Sequence, residues 1–204
     1  MTIPEIISTV KDILLGAAAV TTATVAVVGL KNWSRELRGK TEFQAAQNLM
    51  KTTYRVRDEF QYSRSPYIDV GEFPSDYPGT QTANADQEAQ AWSYIYSHRW
   101  APVREALQEF ETHVLEAEAL WGSDIRIKAD ELRQCARELQ VAMEAVVEDK
   151  VHRGENFKTD REFGKAMRGT AHASRGDDSN PLNKKIKAAV NAIEDTVRPH
   201  LRRG

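Results

Sequence analysis

The strongest constraint on this chain is a stretch without charge: Ile13 to Leu30 lies between Asp12 and Lys31. As an α-helix these residues extend about 27 Å, just enough to cross the hydrocarbon core of a bilayer. The run is rich in small residues (Gly16, Ala17, Ala18, Ala19, Ala23, Ala26, Gly29) and carries Thr21, Thr22 and Thr24, so its hydrophobicity is marginal. Three readings follow: a membrane span, a cleaved signal peptide, or a buried core helix. A signal peptide wants a basic start, and the first twelve residues hold Glu5, Lys11 and Asp12. A core helix stays open because the run sits at the lower edge of spanning length. The span is the expected reading, with the lipid bilayer as partner.

Orientation follows from flanking positive charge. Lys31, Arg35, Arg38 and Lys40 crowd the C-terminal side against Lys11 on the other, which predicts a single-pass protein of the cell (inner) membrane with its C-terminal domain cytoplasmic. The sequon-like Asn32, Trp33, Ser34 is then without meaning, and Trp33 reads as an interfacial anchor. Ala18, Thr22 and Ala26 recur every four residues, either as a close-packing stripe for a second helix or as the chance product of an Ala-rich span.

Beyond the anchor (residues 1–38) the expectation is a helical soluble domain over 39–204. With 204 residues, 41 % of them apolar and 28 % charged, the chain has material for one folded core. A formal net charge of −2 gives no global reason for a nucleic-acid partner. The single cysteine, Cys135, excludes an intrachain disulfide or a zinc knuckle and falls on the apolar face of a helix, where it reads as a small buried hydrophobe.

Thr41, with Gln44 three residues on, has the form of a capping box opening an amphipathic helix through Phe43, Ala46, Met50 and Tyr54 to about Ser63. Gly39, Lys40 and Thr41 look like the end of a P-loop, but Ser34 stands where that motif needs its first Gly and no strand precedes it. Trp33, Arg35, Leu37, Gly39, Lys40, Thr41, Glu42, Tyr54, Arg57 and Asp58 together resemble a group of uncharacterised bacterial proteins with one N-terminal membrane helix. The resemblance covers about a quarter of the chain, implies a bacterial or phage setting, and carries over no functional residues.

Residues 63–84 hold Pro66, Pro74, Pro78, Gly71 and Gly79, which no helix runs through. Tyr67, Ile68, Val70, Phe73 and Tyr77 make this loop either a strap over the core or a partner-binding surface. From Asp86 to Trp121 the positions Trp92, Ile95, Tyr96, Val103, Leu107, Phe110, Val114, Ala117 and Trp121 keep helical rhythm, with Pro102 expected to kink or restart the helix. Gly122 should end it and Ser123 cap the next, whose stripe is Ile125, Leu132, Cys135, Leu139, Ala142, Val146 and Val151. The two make a long antiparallel hairpin with an acidic outer face. Residues 153–180 read as irregular and polar, with a turn or two of helix near Arg161 to Met167. Asn180 then caps a last, basic helix starting at Pro181, with Leu182, Ile186, Val190, Ile193, Val197 and Leu201 facing the core and Lys184, Lys185, Lys187, Arg198, Arg202 and Arg203 outside. Those cations either pack on the acidic hairpin or form a patch for an anionic surface. The predicted fold class is all-α: a transmembrane helix, then a helical bundle built on that hairpin.

The histidines His98, His113, His152, His172 and His200 are scattered, and Glu109 and His113 share a helix face four residues apart. A di-metal bundle needs a second such motif, so no metal, cofactor or catalytic residue is assigned. Tyr54, Arg57 and Asp58, joined by Arg161, are set down as a polar pocket, against the plainer reading of solvated helix faces. The function expected is a membrane-anchored interaction module working as scaffold, sensor or regulatory partner, with a protein partner or a second copy. An enzyme with an unfamiliar helical site, or a phage or bacterial lysis or toxin component, are the alternatives.

Overall fold

The computed structural model describes residues 3–201, with side chains described at Ile3, Lys11 and from Leu14 onward. The side chain of Ile13, and Arg202 and Arg203 of the expected basic stretch, lie outside the described residues. Six α-helices account for most of the rest, with no strand among the described residues: α1 (Ile3–Ser63), α2 (Ala85–Trp121), α3 (Asp124–Val151), α4 (Glu155–Thr159), α5 (Arg161–Ala171) and α6 (Pro181–Leu201). The fold is all-α. The chain divides into two compact units, Met1–Gln44 and Ala45–Gly204.

In the first unit every residue from 14 to 40 is exposed. The hydroxyls of Thr21, Thr22 and Thr24 donate to the carbonyls of Ala17, Ala18 and Val20 at 2.8–2.9 Å, so the polar atoms of the apolar run are satisfied inside their own helix. The helix does not stop at Gly39. Thr41, expected to cap a new helix, instead back-bonds to the Leu37 carbonyl at 3.1 Å. The ion pairs Arg38–Glu42 (2.9 Å) and Lys40–Glu36 (2.7 Å) bracket the glycine. Extending a helix costs less than nucleating another, so one glycine flanked by two such pairs is carried through.

The second unit is organised by apolar stripes. Ala46, Leu49, Met50, Val56 and Phe60 of α1 join Tyr96, Val103, Ala106, Phe110, Val114 and Ala117 of α2 in one core with the inner faces of α3 and α6. Asn84 caps α2 through a reciprocal bond with Gln87, and α2 runs through Pro102 without restarting. Gly122, at φ +88°, ends it. Ser123 makes no side-chain cap bond, contrary to expectation. α2 and α3 pack against each other. Their ion pairs, Glu118–Arg126 (2.6 Å), Glu111–Arg133 (2.5 Å) and Glu88–Lys150 (2.5 Å), climb one helix as they descend the other. Cys135 is buried at 2 % exposure and its thiol is pushed up to about 11 by burial. Val151, counted with the core stripe, is exposed.

The segment expected to be irregular is largely helical. After α3, Gly154 (φ +80°) reverses the chain, and the buried Asp149 carboxylate accepts from the Phe157 amide at 2.9 Å, fixing the start of α4. Asp160 caps α5 by accepting from the Phe163 amide. Phe157 sits directly on Gly164, where an added Cβ would come within 2.6 Å of the Phe157 Cβ. These contacts join side chains of different helices across the breaks at Gly154 and Asp160, which is why periodicity within one helix did not show them. Asn180 does cap α6, accepting from the amides of Leu182 (3.0 Å) and Asn183 (3.2 Å).

Candidate functional site

Within the second unit, a cleft of about 460 Å³ lies where the end of α1, the segment 173–178 and α6 meet. Two of the residues read from the sequence as a polar pocket, Arg57 and Asp58, line it and pair with each other at 2.9 Å. Tyr54 stacks under the Arg57 guanidinium, 4.7 Å from its centre, and donates to Glu194 of α6 at 2.8 Å. Partial burial and the Glu194 bond raise the Tyr54 phenol above its usual range, so it stays a donor. Arg161, the fourth residue of that reading, does not line the cleft.

The residue that organises this corner is Arg64. It is 2 % exposed, and no carboxylate pairs with it among the described residues. Nε donates to the Thr170 carbonyl at 2.8 Å, and Nη2 to Asn180 Oδ1 at 2.9 Å and the Gly169 carbonyl at 3.4 Å. Nη1 donates to Asn183 Oδ1. Burial lowers the guanidinium to about 10, so it remains charged at neutral pH and must keep its acceptors. The backbone carbonyl of Arg64 accepts from Ala173, so one residue ties the end of α1 to α5, the following segment and the α6 cap. Asn180 therefore serves both as helix cap and as acceptor for a buried cation.

The carboxylates of the cleft are engaged: Asp58 by Arg57, Asp178 by Lys187 at 3.4 Å, and Glu194 by Tyr54. No thiol or imidazole lines it among the described residues. Such walls, with the Ser174 hydroxyl among them, can recognise a polar group.

The Pro-rich loop is tied down by a second buried arginine. Arg99 of α2, 4 % exposed, holds Glu72 through Nε (2.6 Å) and Nη2 (2.8 Å) and donates to the carbonyls of Ser65 and Tyr67 at 2.7 Å. The pair keeps the Glu72 carboxyl below its usual range. Asp69 caps the single 3-10 turn Val70–Glu72. Of the loop residues named from the sequence, Tyr67 is exposed, Ile68 is half-buried, and Phe73 and Tyr77 stack at 4.9 Å. Ala18, Thr22 and Ala26 are exposed along the first unit.

Sequence reasoning missed Arg64, Arg99 and His172. The arginines had a signal: Arg64 follows Phe60 by four residues and Arg99 precedes Val103 by four, each in phase with a buried stripe. His172 had none, because its partners are distant in sequence. Its Nε2 lies 2.8 Å from the Tyr96 hydroxyl, with Trp92 edge-on, and burial lowers its pKa. Glu109 and His113 do not act together: Glu109 pairs with Arg55 and His113 with Glu116 at 3.2 Å. No group of three or more His, Cys, Asp or Glu among the described residues is placed to hold a metal. Gly39, Lys40 and Thr41 lie inside α1, where no phosphate-cradling loop exists.

No family model matches the chain, and neither a curated protein nor a solved structure is found to be similar to it.

Proposed function

We propose that this is a single-pass membrane protein whose helical unit, a bundle on the antiparallel α2–α3 hairpin, works by protein contacts on the cytoplasmic face as a scaffold, sensor or regulatory partner. One observation carries the reading. α1 is the one helix among the described residues long and apolar enough to cross a membrane, and none of its apolar window is buried. The larger side chains of that run, from Leu14 to Leu30, are 51–68 % exposed. Leaving so many apolar groups in water is costly at about 25 cal/mol per Å². A core helix would have been covered by the rest of its chain. The self-satisfied threonines suit a helix in lipid, where an unpaired hydroxyl has no water to turn to. The basic flank after Leu30 supports the cytoplasmic side. The exposed Tyr67 and Val70, on a loop held rigid by Arg99, supply a surface for a protein partner.

Fractionation tests it. Full-length protein carrying a C-terminal reporter active only in the cytoplasm is compared with a chain beginning at Lys31. The expected result is a carbonate-resistant membrane pellet with an active reporter for the first, and a soluble folded protein for the second. Solubility of both chains overturns the anchor, and an inactive reporter in the pellet overturns the sidedness. Cross-linking of the anchored chain, with Ala18→Leu and Ala26→Leu as probes, asks whether the span pairs with a second copy.

A further inference from the structure

We infer that the two turns of α1 that follow the uncharged run form a binding surface for anionic phospholipid headgroups, so that the chain selects its lipid neighbours and does not merely span them. The inference rests on the membrane reading above.

At 3.6 residues per turn, Lys31, Arg35 and Arg38 fall within an arc of about 60°, and Leu30, Trp33 and Leu37 fall within another whose centre is about 140° away. All six are exposed, Trp33 at 60 %. The helix is therefore two-faced immediately where it leaves the run. One side continues the apolar character of the span and ends in an indole, a group that partitions to the headgroup level. The other carries three cations over about 10 Å of axis.

Two of those three cations are not neutralised by their own helix. Arg38 has Glu42 at 2.9 Å, but neither Lys31 nor Arg35 is in an ion pair among the described residues. Lys40, which does have a partner in Glu36, lies on the opposite side. Lys31 and Arg35 stand four residues apart, where like charges repel along a helix. The lone acid interrupting this face, Glu42, comes after the last cation. A headgroup bearing net negative charge relieves the repulsion, and a zwitterionic one does so far less. Hydration by bulk water answers the same charges in a soluble helix, but the apolar side next to them calls for a lipid boundary.

Spin-label electron paramagnetic resonance of the full chain reconstituted in phosphatidylcholine vesicles tests this, using trace spin-labelled phosphatidylglycerol or spin-labelled phosphatidylcholine. The expected result is a motionally restricted component for both probes, with phosphatidylglycerol favoured about three-fold or more in low salt. Lys31→Gln, Arg35→Gln and Arg38→Gln together should bring the ratio to about one, as should high salt. Lys184→Gln with Lys187→Gln on α6 should leave it unchanged. Equal restriction of the two probes by the unaltered chain, or a preference that survives the triple substitution, overturns the inference while leaving the span in place. Absence of any restricted component, with release by carbonate, overturns the span and this inference together.

Discussion

Residues 14–40 and residues 45–63 belong to one uninterrupted helix, yet none of the first stretch is buried and nine of the second are. Apolarity does not separate them in the direction expected, for the barer stretch is the more apolar one. The packed stretch even buries Thr52, Thr53 and Ser63, whose hydroxyls are satisfied by carbonyls three or four residues back. What distinguishes the two is arrangement. An apolar stripe on one side, backed by polar residues, finds the complementary stripes of α2, α3 and α6, whereas residues 14–30 are uncharged all round and present no such stripe. Burial within the chain thus tracks the pattern of hydrophobicity and not its total amount.

The sharpest way to break this comparison is a matched pair of truncations. Phe60→Ala empties a fully buried site and should cost about 3–5 kcal/mol in urea unfolding followed by tryptophan fluorescence. Leu15→Ala, a smaller apolar deletion in the bare stretch, should change the same transition by less than about 0.5 kcal/mol. Equal costs would mean that residues 14–40 share the core after all. Next in size is Arg99→Ala, which leaves Glu72 and two loop carbonyls without their donor. A loss of about 2–3 kcal/mol is expected, together with protease cleavage within residues 65–84. Cleavage no faster than in the unaltered chain would show that the loop is held by something else.

Gly164→Ala sharpens the comparison on the packed side, since the new methyl meets Phe157 and should cost about 1–2 kcal/mol in the same urea transition. The smallest effect is a pH dependence. His172 is held below its ordinary 6.5 in the folded unit, so the unfolded chain binds the extra proton first. Stability is therefore full above about 6.5 and falls as the pH drops from there toward the folded value, where the loss levels off. His172→Gln should flatten unfolding midpoints across that window, and an unchanged slope would assign the dependence to other groups.

The acidic α2–α3 pair and basic α6 illustrate how far charge could be read. Lys185 does reach Glu138 of α3, at 2.7 Å, as packing of opposite charges anticipates. Lys187 turns instead to Asp178 beside the cleft, a contact set by the segment between α5 and α6 and by nothing in the helix itself. In the same way Arg57 and Asp58 could each be placed beside Tyr54 from their spacing of three and four residues. That α6 would bring Glu194 onto Tyr54 could not.

The sequence by itself determined the helical class, the starts of α2 and α6, the stop at Gly122, the non-helical loop and the core stripes, because each rests on local periodicity, capping chemistry or the fixed φ of proline. Continuity of α1 through Gly39 depended on a balance between a weak glycine and two side-chain pairs, and the helices α4 and α5 on Phe157 finding Gly164. The partners of Arg64, Arg99 and His172 were decided by tertiary structure alone. A buried cation or imidazole is tolerable only where distant carbonyls, amides and hydroxyls converge on it, and their convergence is a property of the packed chain.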